Sequence, residues 1–197
     1  LENFRLLRKE RRLFVSYRRV EAQAIAIQLY EQLDARGFDV FLDTRDIPPA
    51  VDFQDVLWHR MADCEVVIIV DTPQFRGSRW TRAGLARANA TNIQILDVMW
   101  PGVRADDEAA LGKFLQLEDS NFASSDRIGI TARLNDETVE QICVQVEMLR
   151  ARAMAARERS LIDNFCDQAR DLGAEAFVEA ERYIDLKLSN GAGIAVV

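Results

Sequence analysis

The chain has 197 residues, of which 49% are hydrophobic and 29% charged. That is the make-up of a globular protein with room for one ordinary domain and something smaller, and it shows no bias toward disorder. A formal charge of −7 argues against nucleic acid as the default partner, because phosphate binding draws on clustered Lys and Arg.

Residues 13–17 of "RRLFVSYRR" form a short apolar run bracketed by charge and read as a buried strand. In "VEAQAIAIQLYEQLDARG", Ala22, Ile25, Ala26, Leu29 and Leu33 recur at helical spacing, and Gly37 stands where a C-terminal cap belongs. "FDVFLD" is a second strand, followed by the loop "TRDIPPAVD", forced by two prolines that have no amide hydrogen to donate. A helix over "DFQDVLWHRMADC" comes next. "CEVVIIV" is a β-branched run typical of a strand covered on both faces. A loop "DTPQFRG", a helix "SRWTRAGLARANAT" and a fourth strand "IQILDVMW" follow. Beyond Trp100 a short helix and a fifth strand near Ile128 to Ile130 are expected. A long helix then starts at Asn135 or Asp136, with Val139, Ile142, Val146 and Leu149 as its apolar stripe. "RYIDLKLSNGAGIAVV" alternates and turns at Asn190-Gly191, as a hairpin does.

Strand and helix alternating at this rhythm imply an α/β fold with a parallel sheet wrapped on both sides. Residues 12–150 are expected to form one domain, and 151–197 a connector helix with a β-hairpin that opens a further module. The chain begins without Met and ends on a strand-like "GIAVV", which reads as a piece of a longer protein.

The single histidine removes much chemistry, since Ser–His–Asp hydrolysis and HExxH metal sites both need one in place. His59 falls off the stripe of Phe53, Val56, Leu57 and Met61 and reads as a solvated helix residue. Cys64, Cys143 and Cys166 lack the spacing of a disulfide framework or zinc site, so no metal is expected and a reducing cytoplasm is inferred. No apolar run approaches the roughly 18–20 residues that cross a bilayer, and residues 1–12 lack a signal peptide's apolar segment. Neither a membrane nor nucleic acid is an expected partner.

Sites in parallel sheets lie at the carboxyl ends of the strands. Those ends gather Tyr17, Arg18, Arg19, Asp43, Arg45, Asp46, Phe53, Phe75 and Trp80. The arginines can pair with phosphates, and the aromatics can stack a base or pyridinium ring. Alternatively, the arginines bridge to neighbouring aspartates and the aromatics plug the edge of the core.

"LFVSYRR", "DVFLDTRDIPP" with "DFQDVL", "CEVVIIVDTPQF" and "SRWTRAGL", in that order and spacing, resemble the TIR (Toll/interleukin-1 receptor) domain over about residues 12 to 100. The likeness is nearer to bacterial, NADase-type TIR domains than to receptor adaptors. It implies a flavodoxin-like fold with five parallel strands and, as activity, cleavage of the nicotinamide–ribose bond of NAD. NAD is then the substrate, giving nicotinamide and ADP-ribose or a cyclic variant. Arg18, Arg19, Asp43, Phe53 and Trp80 match positions that line the family's NAD pocket, and with Tyr17, Arg45 and Phe75 from the strand ends they are the expected substrate-binding residues. Asp46, Ile47, Pro48 and Pro49 fall in the assembly loop, although Ala50 and Val51 stand near the family's usual glycine. The resemblance also implies self-association and coupling to other domains or subunits of a cytoplasmic defence or signalling protein.

The family's catalytic glutamate stands four residues after the tryptophan, and here that place is Gly84. An i, i+4 pair shares one helix face, so a carboxylate at 84 would lie beside the Trp80 indole and oppose the positive charge that develops on the sugar. Glycine supplies none of this and costs about 1 kcal/mol inside a helix. Either the glycine is native and the chain is a non-catalytic module, or a glutamate was changed to glycine in the laboratory; the otherwise intact helix favours the change. Glu21 and Glu65 start a helix and a strand and are expected outside the pocket. A signalling scaffold is the alternative function. A receiver-type reading is disfavoured because "SYRR", not an acidic pair, follows the first strand.

Overall fold

Strand β1 (Arg12–Tyr17) is buried along all but its first residue, as expected of a run that is apolar on both faces. The computed structural model describes residues 11–42, 64–75, 92–103, 112–179 and 183–196. By contact it divides into Leu1–Met154 and Ala155–Val197.

In the first unit β1 is joined by β2 (Asp39–Leu42), β3 (Val66–Asp71), β4 (Gln94–Met99) and β5 (Lys113–Gln116). They form one sheet in the order β2-β1-β3-β4-β5, and every pairing is parallel. The expected α/β class and five-stranded parallel sheet are therefore present. Side chains alternate between two cores. Leu13, Val15, Val66, Ile68, Val70, Leu96 and Val98 face the larger core. Phe14, Val67, Ile69 and Ile95 face the other, with Cys64, Phe75 and Ile93.

Helix α1 (Arg19–Asp34) covers the larger core with Ala22, Ile25, Ala26, Leu29 and Leu33. Its end follows from Gly37, whose φ is 78°. Gly37 N–H donates to Asp34 O at 2.8 Å and Phe38 N–H to Leu33 O at 3.1 Å. Those two bonds satisfy the last helix carbonyls, and Phe38 and Leu33 are both buried in the same core.

The fifth strand is β5, not Ile128 to Ile130. Ile128 and Ile130 are 48% and 89% exposed, and Gly129 between them has φ 91°, so the segment is an exposed turn. β5 is short and half-buried, and it approaches β4 through Gly112, where a Cβ would stand 3.0 Å from Ile95 O.

Between β5 and the next helix the chain makes a 3₁₀ turn, Asp119–Asn121, and then an irregular excursion tied down by side chains. Gln28 of α1 donates from Nε2 to Leu134 O at 3.0 Å and accepts from Leu134 N–H at Oε1, also 3.0 Å. Trp100, 2% exposed, donates from Nε1 to Arg127 O at 2.8 Å and meets Phe122 edge-on.

Helix α2 (Asp136–Asp171) begins where Asn135 Oδ1 accepts from Thr138 N–H at 2.8 Å, as an N-cap should. Val139, Ile142, Val146 and Leu149 are buried, as the stripe predicts. Among the described residues, the ion pairs Arg36–Glu140, Arg11–Glu147 and Arg150–Glu65 hold its first half. Arg11 also stacks on Phe38, 4.1 Å from the ring centre.

In the second unit β6 (Glu175–Val178), β7 (Ile184–Lys187) and β8 (Gly193–Val196) form an antiparallel sheet. The hairpin at Asn190-Gly191 is present, with Gly191 at φ 85°. β6 is an additional strand, absent from the sequence reading. Cys166, Ala176 and Leu186 make a small core, with Ile162, Ala169, Ile184 and Val196 around it.

Candidate functional site

The strand order reverses at β1: the chain passes from β1 to β2 on one side, then returns to β3 on the other. Loops leaving the carboxyl ends of β1 and β3 therefore diverge there and open the crevice in which doubly wound sheets bind ligands. Tyr17, Arg18 and Arg19 stand at the end of β1, and the turn Thr72–Phe75 at the end of β3.

Tyr17 and Phe75 are 4% and 6% exposed and belong to the two cores rather than to an open face. Arg18 precedes α1 in extended conformation; its backbone carbonyl accepts the Glu21 and Ala22 amides at 3.0 and 2.9 Å. Its guanidinium donates from Nη1 to Gln74 O at 2.8 Å, a peptide carbonyl and not an aspartate. Arg19, the first residue of α1, is exposed.

The turn after β3 is built by sequence. Pro73 occupies its second position, which the ring's fixed φ favours, and Phe75 N–H closes it on Thr72 O at 2.9 Å. Thr72 is fully buried, and its hydroxyl has no hydrogen-bond partner among the described residues.

Glu21 departs from expectation. It does start α1, yet it is 4% exposed, and its Oε2 accepts from Gln74 N–H at 3.4 Å, which puts the carboxylate at the β1–β3 crevice. The sequence shows only an acid in the first helical turn, three residues after Arg18; its burial and its bond to Gln74 come from the fold. Glu65 lies at the opposite end of β3 and is held by Arg150 at 2.8 Å.

Asp43, Arg45, Asp46, Ile47, Pro48, Pro49, Phe53, His59, Trp80 and Gly84 lie outside the described residues. Among the described residues no group of His, Cys, Asp or Glu is arranged to hold a metal ion, and no helix is long and apolar enough to cross a membrane. All three cysteines are free and buried. Burial, more than the nearby Glu140 and Glu147 and against the pull of Arg36, pushes the Cys143 thiol pKa up. A groove of about 650 Å³ lies at the ends of β4 and β5, lined by Pro101, Gly102, Val103 and the Gln116 to Ser120 segment. Among the described residues, the predicted Tyr17, Arg18, Arg19 and Phe75 do not line it.

Set beside known proteins, residues 13–143 match the family model described as the TIR domain. The chain belongs to the TIR domain family. The match runs past Trp100, where the motifs thin out, into the first turns of α2. Two solved structures are similar at low identity. The TIR domains of the activated Roq1 resistosome, which directly recognizes the pathogen effector XopQ, are 14% identical with a TM-score of 0.40, over 52% of this chain and 68% of that one. The sugar isomerase domain of an RpiR transcription factor from Sphaerobacter thermophilus is 15% identical with a TM-score of 0.42, over 81% of this chain and 83% of that one. Neither likeness decides the family, which rests on the match over residues 13–143. No curated protein matches the chain.

Proposed function

We propose that this TIR domain binds NAD in the crevice between the ends of β1 and β3, and that its parent sequence hydrolyses the nicotinamide–ribose bond. The observation that carries this reading is the strand-order reversal at β1, which brings the Tyr17–Arg19 segment and the Thr72–Phe75 turn to one crevice in a TIR family member. In the reaction the bond from the ribose anomeric carbon to the pyridinium nitrogen breaks with its electron pair going to nicotinamide. Water adds to that carbon and releases a proton. A carboxylate at position 84 would stabilise the charge on the sugar as this bond lengthens; Gly84 cannot, so this chain binds NAD and turns it over poorly. Self-association, a cytoplasmic setting and service as the effector of a bacterial defence or stress-signalling protein belong to the same proposal.

Gly84→Glu tests it. Losing a carboxylate that acts only in the transition state costs on the order of 100-fold or more, so nicotinamide release in concentrated, assembled protein should rise by about that factor. No gain would overturn the catalytic reading. One sequence feature favours a second reading: Gly84 itself, which suits a non-catalytic scaffold that recruits partners through its surfaces. A scaffold predicts that millimolar NAD leaves both the melting temperature and amide exchange at the crevice unchanged.

A further inference from the structure

The turn after β3 leaves one residue with both peptide groups to satisfy. Thr72–Phe75 closes through the Phe75 N–H and Thr72 C=O, so the N–H and C=O of Gln74 point away from the turn's own bond. Gln74 is itself exposed, yet its two peptide groups still have protein partners. Gln74 finds them on two side chains from the same junction: Arg18 Nη1 donates to its carbonyl at 2.8 Å, and Glu21 Oε2 accepts from its amide at 3.4 Å. A spacing of three residues at a helix start places both groups on one side, within reach of one peptide unit. Glu21 is 4% exposed, and a buried carboxylate persists only where it is bonded. Its own main-chain carbonyl is fixed from a third direction, accepting from Gly129 N–H at 2.8 Å.

We infer that Arg18 and Glu21 form a two-armed clasp across the crevice, and that Glu21 is a positioning residue that fixes the point from which the chain leaves β3 toward Trp80 and position 84. Arg18 holds the carbonyl from the solvent side, and Glu21 holds the amide from within. The Glu21 arm, at 3.4 Å, is the longer and more easily lost of the two bonds. The role given to position 84 rests on the NAD reading above; the clasp itself does not.

Amide exchange resolved by residue reads the clasp directly, because the Gln74 N–H is the bonded group. Glu21→Ala should speed exchange at Gln74 about tenfold, the effect of losing a bond to a charged group, and leave Ile69 in mid-β3 within about twofold. Glu21→Gln keeps an acceptor oxygen and should stay within about threefold of the parent. An unchanged Gln74, an equal acceleration at Ile69, or a Gln variant as fast as the Ala variant overturns the clasp. Should Glu21→Ala fail to fold, Arg18→Met at the surface gives the second reading: Gln74 exchange rises about threefold, and no rise overturns it. In a Gly84→Glu background, Glu21→Ala should lower kcat for nicotinamide release about tenfold while KM moves less than about threefold, with Glu21→Gln restoring most of the rate. If the Gly84→Glu chain releases no nicotinamide, the NAD reading fails and exchange alone decides the clasp. If it releases nicotinamide and Glu21→Ala does so equally fast, the positioning role fails and the NAD reading stands.

Discussion

Arg150→Met is the substitution whose cost the structure fixes most closely. Arg150 Nε lies 2.8 Å from Glu65 Oε2, with side chains 18% and 4% exposed, so the change strands a carboxylate that water barely reaches. The backbone offers no relief, because Glu65 N–H donates to Arg12 O and Glu65 O accepts from Gln94 N–H, both at 3.0 Å. Breaking a buried pair from one side costs about 3–5 kcal/mol; the partial exposure of Arg150 puts this case near the lower end, at about 3 kcal/mol. With a urea slope of about 2 kcal/mol per molar, the unfolding midpoint followed by far-ultraviolet circular dichroism should fall by about 1.5 M. Replacing both partners, Glu65→Leu with Arg150→Met, removes the stranded charge and should return to within about 1 kcal/mol of the parent. A single-variant shift under about 0.3 M, or a double variant no more stable than the single one, would refute the reasoning.

Gly112→Ala tests the approach of β5 to β4: the new Cβ meets Ile95 O at 3.0 Å and Ile95 Cβ at 3.1 Å, so the same urea titration should show a loss of about 1–3 kcal/mol. Because Cys64, Cys143 and Cys166 are free and buried, a disulfide reagent should label none of them within minutes in native buffer and all three in denaturant; prompt native labelling would contradict the packing. Cys143 also makes a signed prediction, since its folded pKa is raised chiefly by burial. The unfolded chain ionises first, so the thiol's contribution is intact below the unfolded value of about 8.5 and is lost as pH climbs from there toward the folded value. Stability should therefore fall less steeply between about pH 8.5 and 10 in Cys143→Val than in the parent.

The sequence exposed those parts of the fold that bury continuous apolar runs. β1, β3 and β4 are covered on both faces, so they read as unbroken hydrophobic stretches, and α1 announced itself by five buried residues at helical spacing and by Gly37. β5 did not, because an outer strand of pattern Lys-Phe-Leu-Gln is half-buried and carries too little apolar signal. Ile128 and Ile130 mimicked a strand by alternating, yet their side chains face water. β6 was hidden for a related reason: only Ala176 is buried in it. At the crevice, topology alone placed Tyr17, Arg18 and Arg19. Glu21 was discounted because its position in the chain was legible and its burial was not; the hydrogen bond that reveals it crosses to Gln74, a partner 53 residues away.

Gln28 has a consequence for how this family member can change. Its carboxamide engages both the N–H and the C=O of Leu134, so one side chain pairs the free edge of a residue whose other edge bridges Phe122. Asn121 and Asn135 pin the same stretch by their own amides. Between those pins Arg127 O accepts from Trp100 Nε1 and Gly129 N–H donates to Glu21 O, so the stretch is held at its middle as well as at its ends. Substitution can therefore vary the exposed side chains at Ile128 and Ile130 while the path of the chain between them stays as it is.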